Sequence, residues 1–342
     1  MSNLRFLALI DLIQDIDVLL PVLLAIRNRP GWTISVWVSH WLDRASPRVR
    51  LLLKSHGFPA VSVRRQTLIQ GGGPKLSGHD VLLTASESTA AAHAAGHSLV
   101  LRARHGGLHT ATFQHGLENV GLSPGQDGNW ERFGSATIFC WFDAKYAHPE
   151  MPTTTRARLV SIGRPRMPRE TVPPRFDLGV FENLHWDRYN DSDRSDFVRS
   201  LINLTERRPD LRVYVRSHPA GGWLDSLSES LNRRSTITFS SADASRRAPE
   251  SGAEAVAMSR RIITTPSTVA LDGAMAGHPV ALVGQAGSTY APLTVLQRPD
   301  DWLDFADGHR DGTGDHAFLM RHLAAGDWRR TLTDHLSQGL NP

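Results

Sequence analysis

A His-Pro motif in the second half of the chain is the first candidate for chemistry. Arg216-Ser217-His218-Pro219 directly follows the apolar run at residues 211–215. The imidazole and the guanidinium can both donate hydrogen bonds to phosphate. Pro219 biases the backbone of His218 toward an extended conformation. A His-Pro pair is also a common start of a turn, so both a phosphate site and a plain turn remain open.

A hydroxyl-rich motif forms a second candidate anion site. Thr265-Pro266-Ser267-Thr268 follows a predicted strand at residues 261–264 and precedes a predicted helix at residues 269–276. Side-chain hydroxyls and the N–H groups at the start of a helix can together bind phosphate. The alternative is that Ser267 only caps the helix.

Two residues in the first half could perform acid–base chemistry. His115, in Gln114-His115-Gly116, follows a predicted strand at residues 110–113, and its imidazole could act as a general base or acid near neutral pH. Glu87 follows the strand at residues 81–84 and is either a functional carboxylate or a first-turn helix residue favoured by the helix dipole. His115 could equally be a core histidine.

Two further carboxylates follow the first strand of the second half. Glu182 and Asp187 lie in the polar segment after residues 178–181. Either could reach a functional site, or both could belong to an ordinary polar loop whose Trp186 packs on the core. The residue order leaves these alternatives open.

Short apolar runs alternate with helical patterns along the chain, as in βαβ units. The predicted strands are 6–10, 33–38, 61–63, 81–84, 110–113, 136–142, 159–162, 178–181, 211–215, 236–239, 261–264 and 280–283. A segment rich in proline and arginine at residues 163–175 separates two series of strands. We therefore predict two Rossmann-like domains facing a cleft, at residues 1–165 and 166–342. Ligands of such sheets bind beyond the carboxyl ends of the strands.

Composition excludes several classes of protein. The 342 residues carry a net charge of +4 with scattered basic residues, which argues against nucleic acid as a partner. Cys140 is the only cysteine, which fits a reducing compartment, and it should be a buried core residue. Charged residues interrupt the apolar N-terminal stretch, so we expect a cytoplasmic protein. The chain has no dinucleotide or P-loop fingerprint and no metal-ligand spacing, so we expect neither a metal nor a cofactor.

The order of the motifs resembles that of the GT-B glycosyltransferase superfamily. It is most similar to bacterial surface-polysaccharide enzymes that use cytidine nucleotides: Kdo transferases, sialyltransferases and CDP-glycerol glycerophosphotransferases. Arg216-Ser217-His218-Pro219 resembles the His-Pro motif of these enzymes, and Thr265-Pro266-Ser267-Thr268 resembles their phosphate-binding motif. Gln114-His115-Gly116 is similar to a motif of capsule-type transferases.

The resemblance implies a metal-independent transferase that moves a sugar, Kdo or a related ulosonic acid, from a CMP-linked donor to a glycan or glycolipid acceptor. Such a protein would be peripheral to the inner membrane if the acceptor is lipid-linked. The alternatives are a CDP-linked polyol-phosphate transferase and a non-catalytic nucleotide-sugar-binding protein. The implied roles are as follows: catalytic, His115, Glu87, Glu182 and Asp187; donor-binding, Arg216, His218, Pro219, Thr265, Ser267 and Thr268.

Overall fold

A computed structural model describes residues 3–125, 128–167, 173–185, 189–247, 252–310 and 315–338. The chain divides into two compact units. Unit 1 consists of Met1–Arg169 and Arg321–Pro342, and unit 2 of Glu170–Met320.

The described residues form thirteen strands. They are β1 (Arg5–Ile10), β2 (Thr33–Ser39), β3 (Ala60–Val63), β4 (Val81–Thr84), β5 (His109–Phe113), β6 (Thr137–Cys140), β7 (Leu159–Ser161), β8 (Phe176–Phe181), β9 (Val213–Arg216), β10 (Ile237–Ser240), β11 (Ser259–Thr264), β12 (Val280–Val283) and β13 (Thr294–Leu296).

Fourteen α-helices occur in the same residues. They are α1 (Asp15–Arg27), α2 (Leu42–Ala45), α3 (Pro47–Ser55), α4 (Arg65–Ile69), α5 (Ala94–His105), α6 (Thr153–Arg156), α7 (Asp191–Arg207), α8 (Ser228–Asn232), α9 (Ala242–Arg247), α10 (Gly252–Ala257), α11 (Val269–Met275), α12 (Pro299–Ala306), α13 (Asp315–His322) and α14 (Trp328–Gln338).

Unit 1 contains a parallel sheet of seven described strands in the order β3-β2-β1-β4-β5-β6-β7. β1 lies at its centre, where Phe6 pairs with Ile34 of β2 and with Val81 of β4. All four residues of β4 and of β6 are buried, as expected for parallel strands covered by helices on both faces. Cys140 in β6 is fully buried, which confirms its prediction as a core residue.

Unit 2 contains a parallel sheet of six described strands in the order β10-β9-β8-β11-β12-β13. β8 pairs with β9 on one side and with β11 on the other, in the register Phe181↔Arg216 and Phe181↔Thr264. In both sheets the strand order reverses beside the first strand of the unit, between β1 and β4 and between β8 and β11. Ligands of open α/β sheets bind outside the carboxyl ends of the strands at such a reversal.

The C-terminal segment differs from the prediction, which assigned it to the second domain. α14 packs against α1 of unit 1 and buries Leu332 and Leu336. The ring of His335 contacts Phe139 of β6 edge-on, with 5.4 Å between the ring centroids. The last helix therefore completes the apolar surface of unit 1, and the boundary between the units falls after Arg169 rather than after residue 165.

The alanine-rich sequence at residues 88–95 predicts a helix, but the helix in the structure begins and ends later. A short 3₁₀ turn covers Ala91–His93, and α5 then runs from Ala94 to His105. The alanines favour helix, but Ser88 receives a hydrogen bond from the Ala90 N–H and contacts His93, which keeps residues 88–90 out of the helix.

None of the described helices has both the length and the hydropathy that crossing a membrane requires.

Gly96 allows α5 to approach the loop that follows β4. A Cβ atom at this position would lie 2.5 Å from the carbonyl oxygen of Ser86, which is shorter than real Cβ contacts. Glycine within a helix normally costs about 1 kcal/mol relative to alanine. At this position we attribute the glycine to the close packing of the helix on the loop.

We predict that Gly96→Ala lowers the free energy of unfolding by about 1–3 kcal/mol, because the added methyl group overpacks the contact with Ser86. Gly106→Ala is the matched control at the end of the same helix, where an added Cβ would meet only ordinary contacts at 3.5 Å. Chemical denaturation measures both. A Gly96→Ala protein as stable as the wild type would contradict the packing argument.

Candidate functional site

The carboxylate of Glu182 connects the loops at the carboxyl edge of the unit 2 sheet. Its Oε1 accepts the backbone N–H of His218 at 2.9 Å. Its Oε2 accepts the N–H of Leu184 at 3.0 Å and the indole N–H of Trp223 at 2.7 Å. The side chain is buried, with 3% of the residue exposed. This geometry makes Glu182 a positioning residue for His218 and argues against its predicted catalytic role.

The hydrogen bonds around His218 determine which ring nitrogen carries the proton. The N–H of Ala220 donates to Nδ1 at 3.1 Å, so Nδ1 is the acceptor and the neutral ring carries its hydrogen on Nε2. Pro219 lies second in the four-residue turn closed by the Gly221 N–H on the His218 carbonyl at 2.9 Å, a position that proline favours. His218 therefore offers an Nε2–H donor.

The hydroxyl motif after β11 lies at the same edge of unit 2. The N–H of Thr265 donates to the carbonyl of Phe181 at 3.1 Å, which joins this loop to the end of β8. The Ser267 hydroxyl contacts Thr264 Oγ1 at 3.1 Å and accepts the N–H of Val269 at 3.2 Å. The N-cap of α11 is Thr268, so Ser267 bonds the first helical N–H from one position earlier and is not the N-cap that the simpler sequence interpretation expected.

Thr265 has a buried hydroxyl group that makes no hydrogen bond within the described residues. A buried polar group without a partner is costly, so such a group in a native protein requires an explanation. A ligand at this edge of the sheet would supply one. Thr268 lies directly before α11, and its carbonyl accepts the N–H groups of Leu271 and Asp272.

The structure places one further predicted residue, Arg216, and does not describe another, Asp187. Arg216 is the last residue of β9 and is largely buried, with 8% of the residue exposed. Asp187 lies outside the described residues, so its predicted catalytic role stays a prediction.

His115 in unit 1 has the opposite arrangement of ring nitrogens. Its Nδ1 lies 2.8 Å from the carbonyl oxygen of Ala85, which can only accept a hydrogen bond. Nδ1 therefore carries the proton, and the lone pair of the neutral ring is on Nε2. Asn119 accepts the N–H of His115 at 2.8 Å and fixes the loop. The Gln114 side chain connects the same loop to β6 by accepting the N–H of Trp141 at 2.8 Å.

Burial keeps both imidazoles neutral. Burial, with smaller effects from the nearby His185 and Arg216, lowers the pKa of His218 to about 3. Burial also lowers the pKa of His115 to about 4, against the opposing effect of its hydrogen bond to Ala85. At neutral pH, His218 is therefore a hydrogen-bond donor without charge, and His115 has an unprotonated Nε2.

The carboxylate of Glu87 holds the backbone of a neighbouring loop. Its oxygens accept the N–H of Gly134 at 2.6 Å, the N–H of Ser135 at 3.2 Å and the Ser135 hydroxyl at 2.9 Å. The Nδ1 of His97 lies 2.6 Å from Oε1, and the Glu87 side chain has no exposed surface. The geometry therefore argues against the predicted catalytic role of Glu87 and makes it a structural carboxylate.

A buried acidic network fills the strand-order reversal of unit 1. One oxygen of Asp15 accepts the N–H groups of Asp11 and Leu12 at 2.8 and 2.9 Å, and the other accepts the Ser86 hydroxyl. The carboxylate of Asp11 pairs with Arg65 at 3.1 Å. Sequence reasoning missed this network. The available signal was the pair of acidic residues that interrupts an apolar stretch directly after the first strand.

Among the described residues, no group of three or more histidine, cysteine or acidic side chains is arranged to hold a metal ion.

Comparisons with known proteins show the fold. No family model and no curated protein sequence matches this chain. A Staphylococcus aureus MnaA–UDP structure matches with a TM-score of 0.67 at 11% identity, covering 98% of this chain and 97% of that one. The Neisseria meningitidis UDP-GlcNAc 2-epimerase bound to UDP-GlcNAc matches with a TM-score of 0.64 at 9% identity, covering 98% and 100%. The wall teichoic acid polymerase TagF matches with a TM-score of 0.59 at 12% identity, covering 99% and 90%.

The chain therefore has the two-domain α/β architecture of the GT-B fold, with one parallel sheet in each unit, as the sequence predicted.

We predict that Asp15 makes stability depend on pH. Burial raises its pKa from 3.8 to about 7. Between about pH 4 and pH 7, the folded protein holds a proton on Asp15 that the unfolded chain has released, so the contribution of Asp15 to stability falls as pH rises through this range. The free energy of unfolding of the wild type minus that of Asp15→Asn should therefore decrease from pH 4.5 to pH 8.

Ser86→Ala is the matched control for this experiment. It removes one donor to Asp15 but leaves the titrating carboxyl group in place, so its stability should follow the same pH trend as the wild type. A difference between wild type and Asp15→Asn that does not change with pH would show that the carboxyl group titrates outside this range.

Proposed function

We propose that this chain is a glycosyltransferase that uses a nucleotide-activated sugar donor. In this proposal the loops after β8, β9 and β11 of unit 2 bind the donor phosphate, through His218, Thr265 and Thr268. His115 of unit 1 is the base that accepts the proton of the acceptor hydroxyl. The acceptor is a glycan or a glycolipid, and a lipid-linked acceptor would bring the protein to the membrane surface.

The opposite protonation of the two imidazoles carries the proposal. His218 presents an Nε2–H donor because its Nδ1 accepts the Ala220 N–H, and His115 presents an Nε2 lone pair because its Nδ1 donates to Ala85. Glycosyl transfer needs a group of each kind. A donor stabilises the departing phosphate, and a base accepts the hydroxyl proton.

The reaction balances with these groups alone. The acceptor oxygen forms a bond to the anomeric carbon, and its proton moves to Nε2 of His115. The bond between the anomeric carbon and the phosphate oxygen breaks, and the electron pair leaves with the phosphate. The Nε2–H of His218 and the Thr265 hydroxyl donate hydrogen bonds to that developing charge.

A uridine diphosphate sugar is the donor that we propose first. The S. aureus MnaA and N. meningitidis epimerase structures hold UDP and UDP-GlcNAc, and each matches this chain over nearly its whole length. A CMP-linked donor such as CMP-Kdo is the second candidate, supported by the resemblance of the His-Pro and Thr-Pro-Ser-Thr motifs to enzymes that use cytidine nucleotides.

Sugar epimerisation is a second candidate function, because several of the matching structures are described as UDP-GlcNAc 2-epimerases. Inverting a carbon centre by proton transfer requires a base on one face and an acid on the other. Glu87 and Glu182 are already bonded to loop groups, which leaves His115 as the group best placed for proton transfer among the predicted catalytic residues that the structure describes. One base suffices for glycosyl transfer, so we favour the transferase.

The division of roles between the two histidines provides the test. His218→Ala removes a hydrogen bond to a charged group, worth about 1.5–3 kcal/mol, and should weaken nucleotide binding roughly 10- to 150-fold. His115→Ala should leave nucleotide affinity unchanged within about 2-fold and lower kcat by about 10²–10⁴-fold. Calorimetry with UDP, CMP, CDP and GDP measures affinity, and release of nucleotide from the sugar donor measures turnover.

His105→Ala is the matched control, because this histidine is exposed at the end of α5. Tighter binding of CMP than of UDP would replace the uridine assignment with a cytidine one. Conversion of UDP-GlcNAc to its C2 epimer would favour the epimerase. Nucleotide binding without turnover would indicate a binding protein. Loss of nucleotide binding in His115→Ala, with normal binding in His218→Ala, would overturn the assignment of roles.

A further inference from the structure

His185 stacks on His218 in unit 2. The two ring centroids lie 4.5 Å apart and the ring planes differ by 20°, so the imidazoles are nearly parallel. The torsion that rotates a histidine ring about its Cβ–Cγ bond has a broad energy minimum. A flat ring packed against His218 restricts that rotation and therefore the direction in which its Nε2–H points.

One carboxylate fixes both loops that form the stack. The Oε1 of Glu182 accepts the backbone N–H of His218 at 2.9 Å, and its Oε2 accepts the N–H of Leu184, the residue before His185, at 3.0 Å. The backbone beside each imidazole is thus tied to the same side chain. The relative position of the two rings is built into the loops.

The turn after His218 closes directly over His185. A Cβ atom at Gly221 would lie 2.9 Å from the Cβ of His185 and 3.2 Å from its Cγ. Only a glycine permits this approach without a shift of the neighbouring side chain. The same turn supplies the Ala220 N–H that holds Nδ1 of His218. Three contacts therefore surround His218: the stacked ring of His185, the close approach of Gly221, and the Ala220 N–H on Nδ1.

We propose that His185 is a positioning residue of the donor phosphate site, and that its ring holds the plane of His218 so that Nε2–H remains the hydrogen-bond donor to the phosphate. This inference rests on the proposed function for its phosphate ligand. The effect of His185 on the orientation of the His218 ring does not depend on a ligand, because both residues belong to unit 2 and their rings stack in the ligand-free protein. His185 acts through His218 in this arrangement and contacts no reacting atom.

The electrostatics of the stack agree with a neutral donor. Burial, and then the nearby Arg194 on α7, lower the pKa of His185. His185 and Arg216 in turn contribute to the low pKa of His218. Protonating either ring would place a positive charge beside the other imidazole and an arginine. The ring system therefore favours hydrogen-bond donation without proton uptake.

The test compares His185→Ala with His185→Phe, which keeps a flat ring but has no ring nitrogens. A stacked aromatic pair contributes an amount equivalent to about a 2- to 10-fold change in an equilibrium constant. We expect His185→Ala to weaken UDP binding by about that factor, and His185→Phe to restore affinity to within about 2-fold of the wild type. The exposed His309→Ala in the same unit is the control.

The ¹⁵N chemical shifts of His218 in the same variants provide a readout that a general loss of stability would not mimic. In His185→Ala they should move toward a mixture of the Nδ1–H and Nε2–H forms, and in His185→Phe they should match the wild type. Unchanged His218 shifts and unchanged UDP affinity in His185→Ala would overturn the inference. Equal damage in both variants would also overturn it, because the nitrogens and not the ring plane would then be required.

The experiments distinguish a failure of the proposed function from a failure of the positioning role of His185. If the wild type binds no nucleotide, the proposed function fails. The ¹⁵N shifts of His218 in His185→Ala then decide the role of His185 alone: a shift toward mixed tautomers supports it, and no shift contradicts it. Melting temperatures close to that of the wild type confirm that each variant is folded.

Discussion

Backbone N–H groups in the loops after parallel strands have no partner in the sheet, and leaving them unpaired in a buried place is costly. This protein satisfies many of them with buried carboxylates. Asp15 accepts the N–H groups of two loop residues, Glu87 those of Gly134 and Ser135, and Glu182 those of two more. Each carboxylate lies near the carboxyl end of the first or the fourth strand of its unit, beside the reversal of strand order.

These contacts decide which side chains remain available for chemistry. A carboxylate that already accepts three donors has little capacity left to act as a nucleophile or base, so the buried acids organise the loops. The imidazoles are held differently, because the backbone bonds one ring nitrogen, and we propose that the other ring nitrogen meets the ligand. His218 and His115 use their Nδ1 atoms in opposite senses, as acceptor and as donor, and therefore offer opposite functions at Nε2.

Sequence reasoning recovered the architecture because parallel strands leave a clear apolar signal. The strands at residues 81–84 and 280–283 were predicted with the bounds that the structure gives. The prediction failed for features that depend on contacts between residues distant in the sequence. β13 is a short strand of three residues, and the docking of α14 onto unit 1 depends on packing between distant segments. The bonding of Glu87 to residues 134 and 135 likewise spans more than forty positions.

The sequence was sufficient to predict which residues belong to the candidate site, but it did not predict what each residue does there. A histidine or carboxylate after a strand is visible in the sequence, but its hydrogen-bond partner is not. The central claim is that the two imidazoles present opposite groups, and a long-range ¹H–¹⁵N correlation spectrum of the ligand-free protein at pH 7 tests it most directly. We expect a neutral His218 protonated at Nε2 and a neutral His115 protonated at Nδ1. The same tautomer at both residues, or a charged ring at either, would contradict it.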